Sequence, residues 1–130
     1  MAFEAWGATR EETFISAGDA TMNVMVDVLD AIAPRECRSI ALASDTIDML
    51  LFELLQDLIY YKDAEQLLLR LRSLRIEDRE GSYRLHAEAV GEKIDRDRHP
   101  LNVDVKAVTL HRFVVERAPM GWRAAVILDI

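Results

Sequence analysis

Apolar residues recur every three or four positions over residues 9–32, "TREETFISAGDATMNVMVDVLDAI", which is the pattern of an amphipathic helix. Thr9 and Glu12 stand at the spacing of a capping box, in which side chains bond the free N–H groups of the first turn. Pro34 cannot continue a helix, because it has no backbone N–H to donate. The pattern therefore predicts a first helix that ends before Pro34.

The strongest periodicity of the chain lies in residues 44–65, "SDTIDMLLFELLQDLIYYKDAE". Its large aliphatic residues fall on one broad stripe: Ile47, Leu50, Leu51, Leu54, Leu55, Leu58 and Ile59. Ser44 or Asp45 is the expected cap, since a short polar side chain can accept a hydrogen bond from the first turn. This stretch is predicted to be a core helix.

After residue 66 the apolar period changes to two, which indicates β-strands. In "LLLRLRSLRIED" leucines alternate with arginines until Ser73, where the phase shifts and predicts a bulge or bend. Turn residues then lead to "GSYRLHAEAV" as a hairpin partner, and "APMG" joins a second pair of strands. The predicted strands cover residues 36–43, 67–78, 81–90, 103–117 and 121–130.

The predicted order is one helix, one strand, a second helix and four strands. This order indicates an α+β fold, with two helices packed on one face of a mainly antiparallel sheet in a single two-layer domain. A polar stretch of about a dozen residues, "GEKIDRDRHPLN" at residues 91–102, interrupts the strands. A loop of this length often has a function.

Composition narrows the function classes. A chain of 130 residues with 51% hydrophobic and 30% charged residues can bury one contiguous core. Its 23 acids and 16 bases give a net charge of −7, which disfavours direct binding to a nucleic-acid backbone. The single cysteine, Cys37, is expected to be a small buried hydrophobe in a reducing compartment. With no stretch of roughly 18 apolar residues and no signal sequence, a cytoplasmic protein without membrane contact is expected.

Three stretches together resemble the archease family, the protein cofactor of the RNA-splicing ligase. They are "AWGATREETFISAGDATMNVMVD", "GEKIDRDRHPLNVDVKAVTLH" and the terminal "GWRAAVILDI". The match runs in one register from about Phe3 to Ile130. It implies a non-catalytic accessory that promotes guanylylation of the ligase by GTP and repeated turnover, and that meets RNA only through the ligase. The chain has neither GxxxxGK[ST] nor GxGxxG, so the nucleotide is expected to belong to the partner.

The resemblance also implies a metal site at the end of the chain. It assigns the Asp129 carboxylate and the α-carboxylate of Ile130 to a divalent metal, with calcium as the expected ion. Two carboxylates held together repel unless a cation lies between them, although an ordinary strand ending in a solvated acid has the same sequence. In this family a strand with His-Thr-Ala-Asp supplies a further ligand, and that Asp would directly precede Met1. We therefore expect a shortened start in preference to a natural variant without the acid.

Lys106 matches a family lysine needed to activate the ligase, and a surface ion pair of little energetic value is the alternative. The histidines, His86, His99 and His111, are expected to be structural because they lie on separate elements. Five arginines could form a basic strip, but a solvated sheet face is the preferred interpretation: Arg70, Arg72, Arg75, Arg79 and Arg84.

Two other function classes remain open. A chaperone-like protein-binding module would shield apolar surfaces of its clients. A metal-dependent hydrolase would need a nucleophile and a base at a recognisable spacing, which the sequence lacks.

Overall fold

A computed structural model describes all 130 residues and confirms the α+β class. Its elements are β1 (Ala2–Gly7), α1 (Arg10–Met25), β2 (Glu36–Ser44), α2 (Ile47–Glu65), β3 (Leu67–Arg79), β4 (Ser82–Lys93), β5 (Ala107–Ala118) and β6 (Gly121–Asp129). A short 3-10 helix, Leu29–Ala31, follows α1. None of the helices is long and apolar enough to cross a membrane.

The strands form two antiparallel sheets where a single sheet was predicted. One sheet has the order β2-β4-β3 and the other the order β1-β6-β5. Each predicted hairpin pairs with a third strand from an earlier part of the chain. β2 pairs with the β3–β4 hairpin, and β1 pairs with the β5–β6 hairpin. Both helices contact strands of both sheets, so a common core joins the two.

The sequence pattern did not indicate β1, although the family resemblance placed its residues in a first strand. β1 has only six residues, and it pairs with β6 from Ala2 opposite Ile127 to Gly7 opposite Trp122. A strand of six residues carries too few alternations to stand out.

Helix α1 ends at Met25, earlier than predicted. The Thr9 hydroxyl accepts a hydrogen bond from the Glu12 N–H at 3.1 Å, as the capping pattern indicated. At the other end the Asn23 side chain donates to the carbonyls of Val26 and Asp27, which takes up acceptors beyond the last turn. The apolar residues after Met25 therefore belong to a separate turn.

Helix α2 starts after Thr46, whose hydroxyl accepts from the Met49 N–H at 3.2 Å. The predicted caps, Ser44 and Asp45, are wrong, because β2 extends through Ser44 and Thr46 takes the cap position. The stripe itself is confirmed, since its central leucines are fully buried: Leu50, Leu51, Leu54, Leu55 and Leu58.

A bulge and a close backbone approach shape the β2-β4-β3 sheet. The register of β3 against β4 shifts between Leu71 and Ser73, which confirms the predicted bulge. In β4, Gly91 lies so close to β3 that a Cβ would approach the Leu68 carbonyl oxygen to 1.6 Å, so only glycine fits.

The predicted strand from residue 103 begins only at Ala107. The preceding segment is tied to helix α1 instead of a sheet: the Asp27 N–H donates to the Pro100 carbonyl at 3.0 Å, and the Asn102 N–H donates to the Met25 carbonyl at 2.8 Å. Lys106 therefore lies just before β5, not within it.

Candidate functional site

Lys106 and Asp129 meet where β5 begins and β6 ends. The Lys106 N–H donates to the Asp129 carbonyl at 2.8 Å, and Ala107 is the register partner of Asp129. Lys106, Asp129 and Ile130 are all exposed. The hairpin register thus presents one ammonium group and two carboxylates at the same edge of the sheet.

The start of β1 reaches the same edge. The Leu128 N–H donates to the Met1 carbonyl at 2.7 Å, and the Met1 nitrogen donates back to the Leu128 carbonyl at 3.2 Å. A residue placed before Met1 in this register would lie opposite Asp129. We call the surface formed by Met1, Lys106, Asp129 and Ile130 the terminal edge.

The terminal edge fits part of a calcium site. The Asp129 carboxylate and the α-carboxylate of Ile130 are the hard oxygen ligands that calcium prefers, but calcium takes six to eight oxygens. No group of three or more His, Cys, Asp and Glu side chains is arranged to hold a metal ion. The donor chemistry is therefore right for a hard cation, while the number of protein ligands falls short of a complete site.

A buried lysine lies close to this edge. The Lys62 side chain, on the last turn of α2, is only 7% exposed. Its Nζ donates to the carboxylates of Asp63 (2.7 Å) and Asp104, and to the Val105 carbonyl at 2.8 Å. Burial lowers the pKa of Lys62, but the bonds and charges of Asp104 and Asp63 outweigh burial, so the pKa is raised above its usual value.

Sequence reasoning missed Lys62. The signal was its position, since Lys62 follows Leu58 by four residues and thus falls on the apolar stripe of α2. A lysine on a buried stripe requires anionic partners. The sequence did not reveal that Asp104, 42 residues away, is one of them.

The polar loop is organised by a buried glutamate. Glu92 accepts hydrogen bonds from the Ala33 N–H and from Nε2 of His99 at 3.2 Å. The guanidinium groups of Arg35 and Arg98 contact its other oxygen, Arg35 at 3.3 Å. Burial raises the pKa of Glu92, but the hydrogen bonds from Ala33, His99 and Arg98 outweigh burial and lower it to about 2.

His99 has a structural position, as expected. It is buried, and its Nδ1 accepts a hydrogen bond from the Asp95 N–H at 2.9 Å. The proton of the neutral ring is therefore on Nε2, which donates to Glu92. His86 and His111 lie exposed on β4 and β5 and do not join His99 in a cluster.

Cys37 is exposed, so the prediction of a buried cysteine is wrong. It lies on the outer face of edge strand β2, and its Sγ is 3.4 Å from an oxygen of Glu88. That hydrogen bond raises the pKa of the Cys37 thiol.

Three arginines of β3 are used in ion pairs. Arg70 binds both carboxylate oxygens of Asp19 at 3.0 and 3.1 Å, while Arg75 and Arg79 contact Glu77. These pairs fit the solvated face that was preferred over a basic strip.

Comparisons with known proteins agree with this fold. The model of the Archease protein family (MTH1598/TM1083) matches residues 1–130. Protein archease of Thermococcus gammatolerans is 36% identical over 126 residues, covering 96% of this chain and 88% of that relative. Protein archease of Methanosarcina barkeri is 35% identical over 129 residues, covering 98% of this chain and 88% of the relative.

Solved structures give the same result. The solution structure of protein 1598 from Methanobacterium thermoautotrophicum has a TM-score of 0.80 at 26% identity, covering 99% of this chain and 89% of that chain. A crystal structure of an archease from Thermotoga maritima, described as a possible chaperone, has a TM-score of 0.66 at 16% identity, covering 100% and 90%. This second likeness supports the fold alone. With the family model matching its whole length, the chain belongs to the archease family.

Proposed function

We propose that this protein is a non-catalytic activator of the RNA-splicing ligase, which promotes guanylylation of the ligase by GTP and multiple turnover. The observation that carries the proposal is the terminal edge, where exposed Lys106 lies beside Asp129 and the carboxylate of Ile130. Family membership supports the choice of partner. RNA is met only through the ligase.

The chemistry of guanylylation explains what such an edge can contribute. A histidine nitrogen of the ligase bonds to the α-phosphorus of GTP, and pyrophosphate leaves with the bonding electrons. Negative charge grows on the departing phosphates, and a nearby ammonium group stabilises it. Lys106 is a compact point charge on a flexible stem, so it can enter a partner's site and act in this way.

Asp129 and Ile130 are proposed to supply two carboxylate ligands of a divalent cation, with calcium as the expected ion. Water or oxygens of the partner would complete its coordination shell. When bound, the ion would neutralise the two carboxylates and keep the end of β6 compatible with an anionic site. Lys106 would balance part of the same charge.

The test is guanylylation of the cognate ligase with radiolabelled GTP, in the presence and absence of this protein. A cofactor that docks transiently serves many ligase molecules, so a sub-stoichiometric amount is expected to accelerate both guanylylation and RNA joining. An unchanged rate at every ratio of protein to ligase would reject the proposal.

A chaperone-like module is the second candidate, because apolar side chains are exposed at one end of the β1-β6-β5 sheet. Trp6 is 54% and Met120 is 92% exposed. Suppression of aggregation of an unrelated client protein would favour this candidate. A dedicated ligase activator is expected to leave such aggregation unchanged.

A further inference from the structure

The segment that carries Lys106 has few backbone partners. Asn102 is bonded to the end of α1, and Ala107 begins the regular pairing of β5. Between these two residues there is one backbone hydrogen bond, from the Lys106 N–H to the Asp129 carbonyl. The buried Val105 side chain anchors the middle of this segment in the core, and a polar contact from α2 adds the directional attachment that apolar packing lacks.

Lys62 supplies that contact. Its Nζ binds the Asp104 carboxylate and the Val105 carbonyl, which are the two residues directly before Lys106. The third partner, Asp63, is its neighbour on α2. An ammonium group has three N–H donors, and two of them join the last turn of α2 to this segment, at Asp104 and Val105.

We propose that Lys62 is a positioning residue, which fixes Asp104 and Val105 against α2 and thereby holds Lys106 beside Asp129. The inference rests on the proposed function, in which the terminal edge acts on the ligase. Lys62 is buried and does not itself reach a partner.

The first experiment measures hydrogen exchange by NMR in the full chain and needs no ligase. Lys62→Met keeps an unbranched side chain on the buried stripe but removes all three donors. We expect the Lys106 amide to exchange about tenfold faster or more, because its bond to Asp129 opens more often. Amides of the β1–β6 pairing are expected to keep their protection.

Lys93→Met is the matched control. The Lys93 ammonium also donates to a backbone carbonyl near the end of α2, that of Glu65 at 2.7 Å, but it does not touch residues 103–106. In Lys93→Met, the exchange rate of the Lys106 amide is expected to equal that in the parent chain. Asp104→Asn is a milder second variant, since the Asp104 side chain is largely exposed, and it is expected to speed Lys106 exchange to a smaller extent.

The second experiment adds the ligase. Lys62→Met is expected to raise the concentration that gives half-maximal guanylylation while leaving the rate at saturation near that of the parent. This readout requires that the parent chain activates the ligase. If the parent has no effect, the proposed function is rejected. The exchange data would still decide the role of Lys62. Unchanged Lys106 exchange in both Lys62→Met and Asp104→Asn would overturn the inference. A uniform loss of protection over the whole chain would also overturn it, because Lys62 would then act on global stability alone.

Discussion

Replacing Glu92 with glutamine removes one negative charge from the polar loop and changes the shape of the side chain very little. The Glu92 side chain is 6% exposed, and both of its oxygens accept from donors on Ala33, His99, Arg35 and Arg98. A glutamine would turn an NH₂ group toward one set of donors. The variant therefore loses charge-assisted hydrogen bonds and leaves buried donors without an acceptor.

The magnitude follows from the pKa of Glu92, which is lowered from 4.5 to about 2. Each pKa unit corresponds to about 1.4 kcal/mol, so the folded protein favours the charged form by about 3 kcal/mol. Because the folded pKa is the lower one, this stability is present above pH 4.5 and is lost as the pH falls toward 2. Glu92→Gln is expected to lower the free energy of unfolding by about 3 kcal/mol at pH 7.

Urea unfolding followed by circular dichroism at pH 7 and at pH 3 measures this difference. The gap between the parent and Glu92→Gln is expected to shrink to roughly half at pH 3, because Glu92 of the unfolded parent is then mostly protonated while Glu92 of the folded parent is still mostly ionised. Glu88→Gln on the same strand is the control, since Glu88 is exposed, and a change within about 0.5 kcal/mol is expected. A gap of equal size at both pH values would refute the reasoning, because it would not depend on the charge.

Three further outcomes are expected at the terminal edge. Lys106→Ala should change the free energy of unfolding by less than about 0.5 kcal/mol yet lower ligase activation, and full activation by this variant would make Lys106 a mere surface charge. Asp129→Ala, or residues added after Ile130, should reduce the rise in melting temperature caused by calcium, and equal shifts would argue against a terminal cation site. His-Thr-Ala-Asp added before Met1 should enlarge that rise relative to His-Thr-Ala-Ala, because the register lays the last added residue opposite Asp129, and equal effects would exclude a ligand at that position.

Local patterns predicted the elements that local physics determines. The apolar stripe of α2 and the bulge at Ser73 were both predicted from the sequence, because side-chain direction follows directly from the helical and strand periods. The end of α1 was not predicted. The apolar pattern continues past the end of the helix into the turn whose carbonyl accepts a hydrogen bond from the Asn23 side chain. The division into two sheets also escaped prediction, because the pairing of β1 with β6 joins opposite ends of the chain.

The candidate site divides in the same way. The sequence contains the turn that pairs β5 with β6, but it did not reveal the register shift between Thr109 and Val114 that brings Ala107 opposite Asp129. The partner of Lys62 could not be predicted from the sequence, because only tertiary packing brings Asp104 to Lys62. Exposure of Cys37 was missed for a related reason: an edge strand and a central strand share one short apolar pattern.

Buried charges hold both ends of the segment that leads to Lys106. Glu92 and His99 fix its beginning, and Lys62 with Asp104 fixes its end. Losing a partner from either contact leaves the buried carboxylate of Glu92 or the buried ammonium of Lys62 without its compensating group. Apolar packing is non-directional, whereas these contacts join particular donor and acceptor atoms. We infer that these two charges specify the position of Lys106 at the terminal edge, as the proposed docking into a ligase site would require.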